Sequence, residues 1–259
     1  MQYLFATSAL IASALAVPSA TAFAQAPAAD VNENIKLVSM GESIPVARIP
    51  DGIYLRSVND PDDIIWDRVP EYRVHLTPAP AVHQSIALRL DAHDNRDAYV
   101  TLAQTADRFY VRLRWLDDSK NDITRRDRFT DGAAIQFSLG DDTTSYMMGT
   151  GPDAPVNIWY WSPENDSVQN LAAGGYGSTT LLKEQPVTGA SQYTPTDNRG
   201  NKEWVVVMSR PLDAQGDYQI SFDQEQIPIA FALWEGSKSQ RDGNKNVTHG
   251  WILADMGGQ

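Results

Sequence analysis

Apolar side chains recur at every second position along much of the chain, the period of a strand that buries one face. Phe109, Val111, Leu113 and Trp115 alternate with Tyr110, Arg112, Arg114 and Leu116. Ile86, Leu88 and Leu90 alternate in the same way with Ala87, Arg89 and Asp91. After a turn at Asp94-Asn95, Ala98 to Leu102 reads as the returning strand, and Ala133, Ile135 and Phe137 open another. Trp204 to Met208 is almost continuously apolar, which predicts a central strand covered on both faces. Ile227, Ile229, Phe231 and Leu233 predict one more, on which Pro228 marks an edge or first-residue position because it lacks a ladder N–H. Val46 to Leu55 and Tyr72 to Leu76 read as short extended pieces, and a last strand lies around Trp251 to Leu253.

Between these runs the chain is punctuated by turn chemistry. Asp60-Pro61-Asp62-Asp63 is a turn, and Gly174-Gly175-Tyr176-Gly177 must be irregular. Asp117 to Arg128 is a charged loop, Thr188 to Asn201 a polar one, and Gly236 to Asn246 a glycine- and charge-rich one. No segment carries a sustained helical period. The expected class is mainly β, an antiparallel β-sandwich with long loops and little helix.

Composition narrows the setting. The first 29 residues carry no charged side chain, and an apolar run from Leu10 to Val17 precedes small residues around Ala24-Gln25-Ala26. This predicts a signal peptide over 1–26, with 27–259 as a single exported, soluble, periplasmic domain. No later stretch approaches the roughly 20 apolar residues of a spanning helix. The net charge is −12, which argues against nucleic acid and anionic lipid as partners. There is no cysteine, so disulfides, iron–sulfur ligation and covalent c-type haem attachment within this chain are excluded.

The chemistry concentrates in Met147 to Trp161, where two thioethers adjoin a Gly/Pro turn and a run containing Trp159, Tyr160 and Trp161. Trp159 and Trp161, two apart on a strand, share one side and form an aromatic wall, suited to a porphyrin, a sugar or plain core packing. His75, His83, His93 and His249 show no metal-ligand spacing, and the pairs Asp117-Asp118 and Asp141-Asp142 read as solvated turns. Asn246-Val247-Thr248 fits a glycosylation pattern that is common by chance. No nucleophile elbow, zincin motif or P-loop is present.

Several motifs in order carry a family resemblance. Arg112-Leu113-Arg114-Trp115-Leu116-Asp117, Thr130-Asp131-Gly132 with Ile135-Gln136-Phe137, Met148-Gly149, Pro155 to Trp161, and the closing IAFALWEGSKSQRDGNKNVTHGW from Ile229 to Trp251 are its carriers. Together they resemble the haem b-binding gamma subunits of type II dimethyl sulfoxide reductase-like enzymes, the group that includes ethylbenzene, dimethyl sulfide, selenate and chlorate oxidoreductases. The likeness runs from about Trp66 to the end. It implies a β-sandwich around one noncovalent b-type haem, with methionine and lysine as axial ligands.

Carried over by motif, these are Met148 and Lys245, with Met147 and Lys238 in reserve and Trp159 and Trp161 as the cofactor wall. On an extended strand Met147 and Met148 point to opposite faces, so one of them enters the pocket. Both axial positions being filled implies one-electron transfer and no turnover by this chain alone. The implied partners are a molybdopterin catalytic subunit, an iron–sulfur subunit and a soluble c-type cytochrome. Arg199 and Arg241 are the propionate candidates, and nothing in the sequence lifts either above a surface arginine. The competing expectation is a haem-free, exported carbohydrate-binding module that uses Trp159 and Trp161 as a stacking platform.

Overall fold

The computed structural model describes residues 35–82, 87, 94–164, 167–195 and 202–257. The expected signal segment, the Ile86 to Asp91 alternation apart from Ala87, His83, His93 and Arg199 lie outside the described residues. The described strands are β1 (Leu37–Val38), β2 (Ser43–Pro45), β3 (Ala47–Arg48), β4 (Tyr72–Pro78), β5 (Arg96–Gln104), β6 (Arg108–Leu116), β7 (Gly132–Ser138) and β8 (Val156–Ser162). They continue as β9 (Ser167–Ala173), β10 (Thr180–Leu181), β11 (Thr188–Pro195), β12 (Lys202–Pro211), β13 (Gln226–Trp234), β14 (Asn246–Val247) and β15 (Ile252–Asp255). The only helical elements with described bounds are two 3-10 turns, Ile64–Arg68 and Gly236–Lys238. The first follows the expected Asp-rich turn, because the Asp63 carboxylate accepts from the Ile65 amide and caps it.

The strands follow one path, β10-β9-β8-β7-β13-β14-β4-β5-β6-β12-β11. Pairing along it is antiparallel, and three short early strands add parallel edges, β1 to β4, β3 to β5 and β2 to β15. The sheet curls so that its two halves face each other like a sandwich. Phe109 of β6 meets Phe137 of β7 edge-on at 6.4 Å and Trp159 of β8 at 6.2 Å, and Trp115 of β6 meets Trp161 of β8 at 6.0 Å. Trp115, Trp159, Trp161, Phe109 and Phe137 are almost completely buried. Each such side chain contributes on the order of 1.5–3 kcal/mol on burial.

Alternation decides which side chains enter this core. On β7, Ala133, Ile135 and Phe137 point inward, and on β13, Ile229, Phe231 and Leu233 do the same. Their neighbours Ala134, Ala230 and Ala232 join Val156, Ile158 and Val247 in a second apolar cluster on the opposite face. That outer cluster is what positions the site.

Three expectations change here. Thr188 to Pro195, expected as part of a polar loop, is β11, paired along its length with β12. It is a half-exposed terminal strand of the path, so its polar side chains face water and leave no hydrophobic period to read. Pro228 lies inside β13 rather than at its first residue, yet the ladder to β7 begins only at Ile229. The missing N–H therefore falls where that side of the strand is still unpaired. Asp117 is not a solvated turn residue, for it is 2% exposed and lies with Asp131 and Glu235 in a buried group of carboxylates.

Candidate functional site

A cavity of about 810 Å³ opens over the outer face of β7, β8, β9 and β13, within the range of sites that enclose a cofactor-sized ligand. Small side chains at Ala134, Ala230 and Ala232 leave the floor open, while Ile158 and Val247 give it apolar flanks. Several loops cover it, among them the one that carries Tyr176, Gly177 and Thr179 and three that hold the residues at issue. Of these three, one carries Tyr146, Met147 and Met148, one runs from Arg241 to Lys245, and one carries Phe129 and Thr130.

The methionine loop is fixed from several sides. Gln136 Nε2 donates to the Tyr146 carbonyl at 3.0 Å, Trp251 Nε1 to the Thr144 carbonyl at 2.6 Å, and the Gly175 amide to the Met148 carbonyl at 2.7 Å. Met148 itself sits at φ 69, a left-handed conformation uncommon for a residue with a Cβ. Gly149 follows at φ 92, and a Cβ there would stand 2.9 Å from the carbonyl oxygens of Ala154 and Ala173. Only glycine fits that place. Because this segment is a turn and not a strand, both Met147 and Met148 line the cavity. The expectation that only one of them enters it is corrected, since alternation applies only to extended chain.

Lys245 enters from the far side of the sequence. The hairpin Arg241 to Asn244 closes with the Asn244 amide donating to the Arg241 carbonyl at 2.8 Å, and the Lys245 carbonyl accepts from the Ala79 amide at 2.8 Å. The ammonium lies 4.7 Å from the centre of the Trp234 ring, a cation–π contact. Trp234 is held in turn by its Nε1 donation to the Asp242 carbonyl at 3.0 Å and by an edge contact with Tyr160 at 5.3 Å. Among the described residues no carboxylate forms an ion pair with Lys245. Desolvation pulls its ammonium down to about 8, and Asp242 offsets this only in part. Such an amine gives up its proton far more readily than a surface lysine.

The other expected residues separate. Lys238 does not line the cavity and reaches Asp94 at 3.6 Å with half its side chain in water. Trp159 and Trp161 do not line it either. They are on the inward face of β8, fully buried in the core between the halves of the sheet. The cofactor wall read from them is corrected, because β8 turns Ile158 and Tyr160 to the cavity and both tryptophans away from it. A sugar platform built on them is equally inaccessible. The aromatic groups that do line the cavity are Phe129, Tyr146, Tyr160, Tyr176 and Trp234, together with the core side chain Phe231. The alternation of Asn157 to Ser162 already separates Tyr160 from its neighbours. No local sequence signal marks Phe129 or Trp234 as lining residues.

Below the lysine loop, Asp131 anchors its first residues. Its carboxylate accepts from the amides of Asn121 (2.8 Å) and Gly236 (2.9 Å) and from Trp204 Nε1 (2.9 Å). Asp117 and Glu235 lie beside it, and Arg96 pairs with Glu235. Burial first, then the neighbouring Asp131 and Glu235, pushes Asp117 up to about 8. Burial raises Asp131 to about 6 against its hydrogen bonds.

Taken by chemistry, the cavity offers a soft neutral thioether and a desolvated amine above an apolar floor. Those donors suit haem iron, and the size and aromatic lining suit a porphyrin. The family described as "Ethylbenzene dehydrogenase" matches residues 63–202. Over 98% of its length the chain is 54% identical to the dimethylsulfide dehydrogenase subunit gamma of Rhodovulum sulfidophilum, covering 94% of that protein. It is 30% identical to the chlorate reductase subunit gamma of Ideonella dechloratans, over 74% of this chain and 77% of the relative. A Haloferax mediterranei protein provisionally named respiratory nitrate reductase heme subunit ORF7 is also 30% identical, over 83% of this chain and 76% of that one.

Proposed function

This chain belongs to the ethylbenzene dehydrogenase family, as a non-catalytic gamma-type subunit of an oxidoreductase complex, and from that premise we propose that it carries electrons on one noncovalent b-type haem. The observation that carries the reading is that Met148 and Lys245, nearly a hundred positions apart, line the same cavity. Bound there, haem supplies a one-electron couple, and a thioether ligand favours its ferrous form.

The chain's own residues do the rest. Gly149 and the Gly175 amide hold the Met148 backbone in its turn. Trp234 and the surrounding apolar surface hold Lys245 where its neutral amine is accessible to a metal. The apolar floor excludes water, which limits the reorganisation that accompanies a change of charge.

The complex is of the molybdoenzyme type, with a molybdopterin catalytic subunit and an iron–sulfur subunit as partners. Electrons pass between those clusters and an external carrier, a soluble c-type cytochrome. The acidic charge of −12 suits a basic carrier of that kind. Residues 1–26 direct export, which places the work in the periplasm. The mature amino terminus, determined on protein from the periplasmic fraction, tests that part directly.

The ligand assignment is tested by optical and EPR spectra of purified variants. Met148→Ala and Lys245→Ala each lose low-spin character or haem. Met147→Ala and Lys238→Ala stay close to the parent. Unchanged spectra in the first pair would refute the assignment even in a haem-containing protein.

A further inference from the structure

The cavity has two chemically different ends. Its floor, at Ala134, Ile158, Ala230, Ala232 and Val247, is buried and apolar. Its rim, which includes Thr124, Glu164, Gln169, Arg241 and Asp242, is exposed and polar. Among the described residues that line it, the two cations are Lys245 within and Arg241 at the rim.

Arg241 is held in place without being used up. Its guanidinium carbon lies 4.5 Å from the centre of the Phe129 ring, which belongs to a different loop and itself lines the cavity. Stacking of this kind orients the guanidinium plane and leaves its edge free to donate. Among the described residues its one carboxylate contact is a weak one, Nε to Asp242 at 3.9 Å, and the Asp242 side chain is 90% exposed. Its terminal nitrogens donate to no described group. Glu164, the other carboxylate of the rim, already accepts from Thr124 Oγ1 at 2.9 Å. An apolar slot with a pre-oriented, unspent guanidinium at its mouth fits a flat hydrophobic ligand that ends in a carboxylate.

Resting on the haem reading above, we propose that Arg241, stacked on Phe129, is the carboxylate anchor that pairs with a haem propionate and fixes the orientation of the group in the cavity. Arg241 is a binding residue in this account and has no part in ligating iron. The hairpin that carries it also leads into Lys245, so one short loop would set both the carboxylate end and the amine donor.

The test is titration of the haem-depleted full mature chain with haem and, separately, with haem dimethyl ester, whose propionates carry no charge. Binding is read from the growth of the Soret band. Arg241→Gln is expected to weaken haem binding by roughly 10-fold, the scale of a charge-assisted hydrogen bond. The same variant and the parent are expected to bind the ester equally well. Arg241→Lys keeps the charge without the planar fork and is expected to fall between.

Equal haem affinity in the parent and Arg241→Gln overturns the proposal, as does an equal loss with haem and ester. Failure of the parent to take up either porphyrin overturns the haem reading itself. The half-exposed position of Arg241 makes all three proteins expected to fold.

Discussion

Replacing Asp117 by asparagine should make the protein more stable near neutral pH. The Asp117 carboxyl is 2% exposed, its Oδ2 has no hydrogen-bond partner, and Asp131 and Glu235 stand beside it. Burial and those two neighbours raise it from 3.8 to about 8. The folded chain thus keeps a proton that the unfolded chain releases. Its favourable contribution is fully present below the unfolded value and is lost as pH rises towards the folded value. The window runs from about pH 4 to about pH 8, with a slope of at most about 1.4 kcal/mol per pH unit.

Between about pH 5 and about pH 7.5 the ceiling for this one group is about 3 kcal/mol. Relaxation around the three carboxylates reduces it, so about 2 kcal/mol is the working figure. Asparagine keeps the shape, cannot ionise, and turns an amide donor towards the acidic neighbours. Urea unfolding at several pH values across that window measures the effect. Asp117→Asn should lose about 2 kcal/mol less than the parent as pH rises. Stability curves that run parallel for the two proteins would refute the argument, because they would mean that Asp117 is already ionised in the fold.

Two further substitutions probe the site's frame. Gly149→Ala forces a Cβ into the carbonyls of Ala154 and Ala173 at a left-handed φ, so it should cost about 1–3 kcal/mol and broaden the low-spin spectrum by freeing Met148; thermal melts with visible spectra check both. Trp161→Ala removes a fully buried core side chain that faces away from the cavity. It should cost about 3–5 kcal/mol in denaturant and leave the visible spectrum of the folded fraction unchanged.

Much of the fold could be read from period-2 alternation, because most strands bury one face. β6, β7 and β13 announce themselves this way, and β12 does so by being apolar throughout. β11 gave no such signal, since its surroundings are water on one side and strand β12 on the other. At the site, motif likeness brought Met148 and Lys245 together before any geometry. Alternation rightly put Trp159 and Trp161 on one face and left core packing open, but the cofactor wall assigned to them fails because that face belongs to the main core. Nothing local distinguishes one face of β8 from the other until β7 and β13 are in place. That Arg241 stands out from Arg199, and Asp117 from a solvated turn, was illegible for a different reason. The role of each depends on groups from distant loops, Phe129 for the arginine, and Asp131 and Glu235 for the carboxylate.

The proposed function requires that this cavity take up one b-type haem, with Met148 and Lys245 as its donors. Haem titration of the purified chain, with the bound pigment then identified as its pyridine haemochromogen, tests this requirement. Saturation at one equivalent, a reducible low-spin spectrum and extractable haem b are expected. A chain that stays colourless with haem in excess, although correctly folded by circular dichroism, would contradict it.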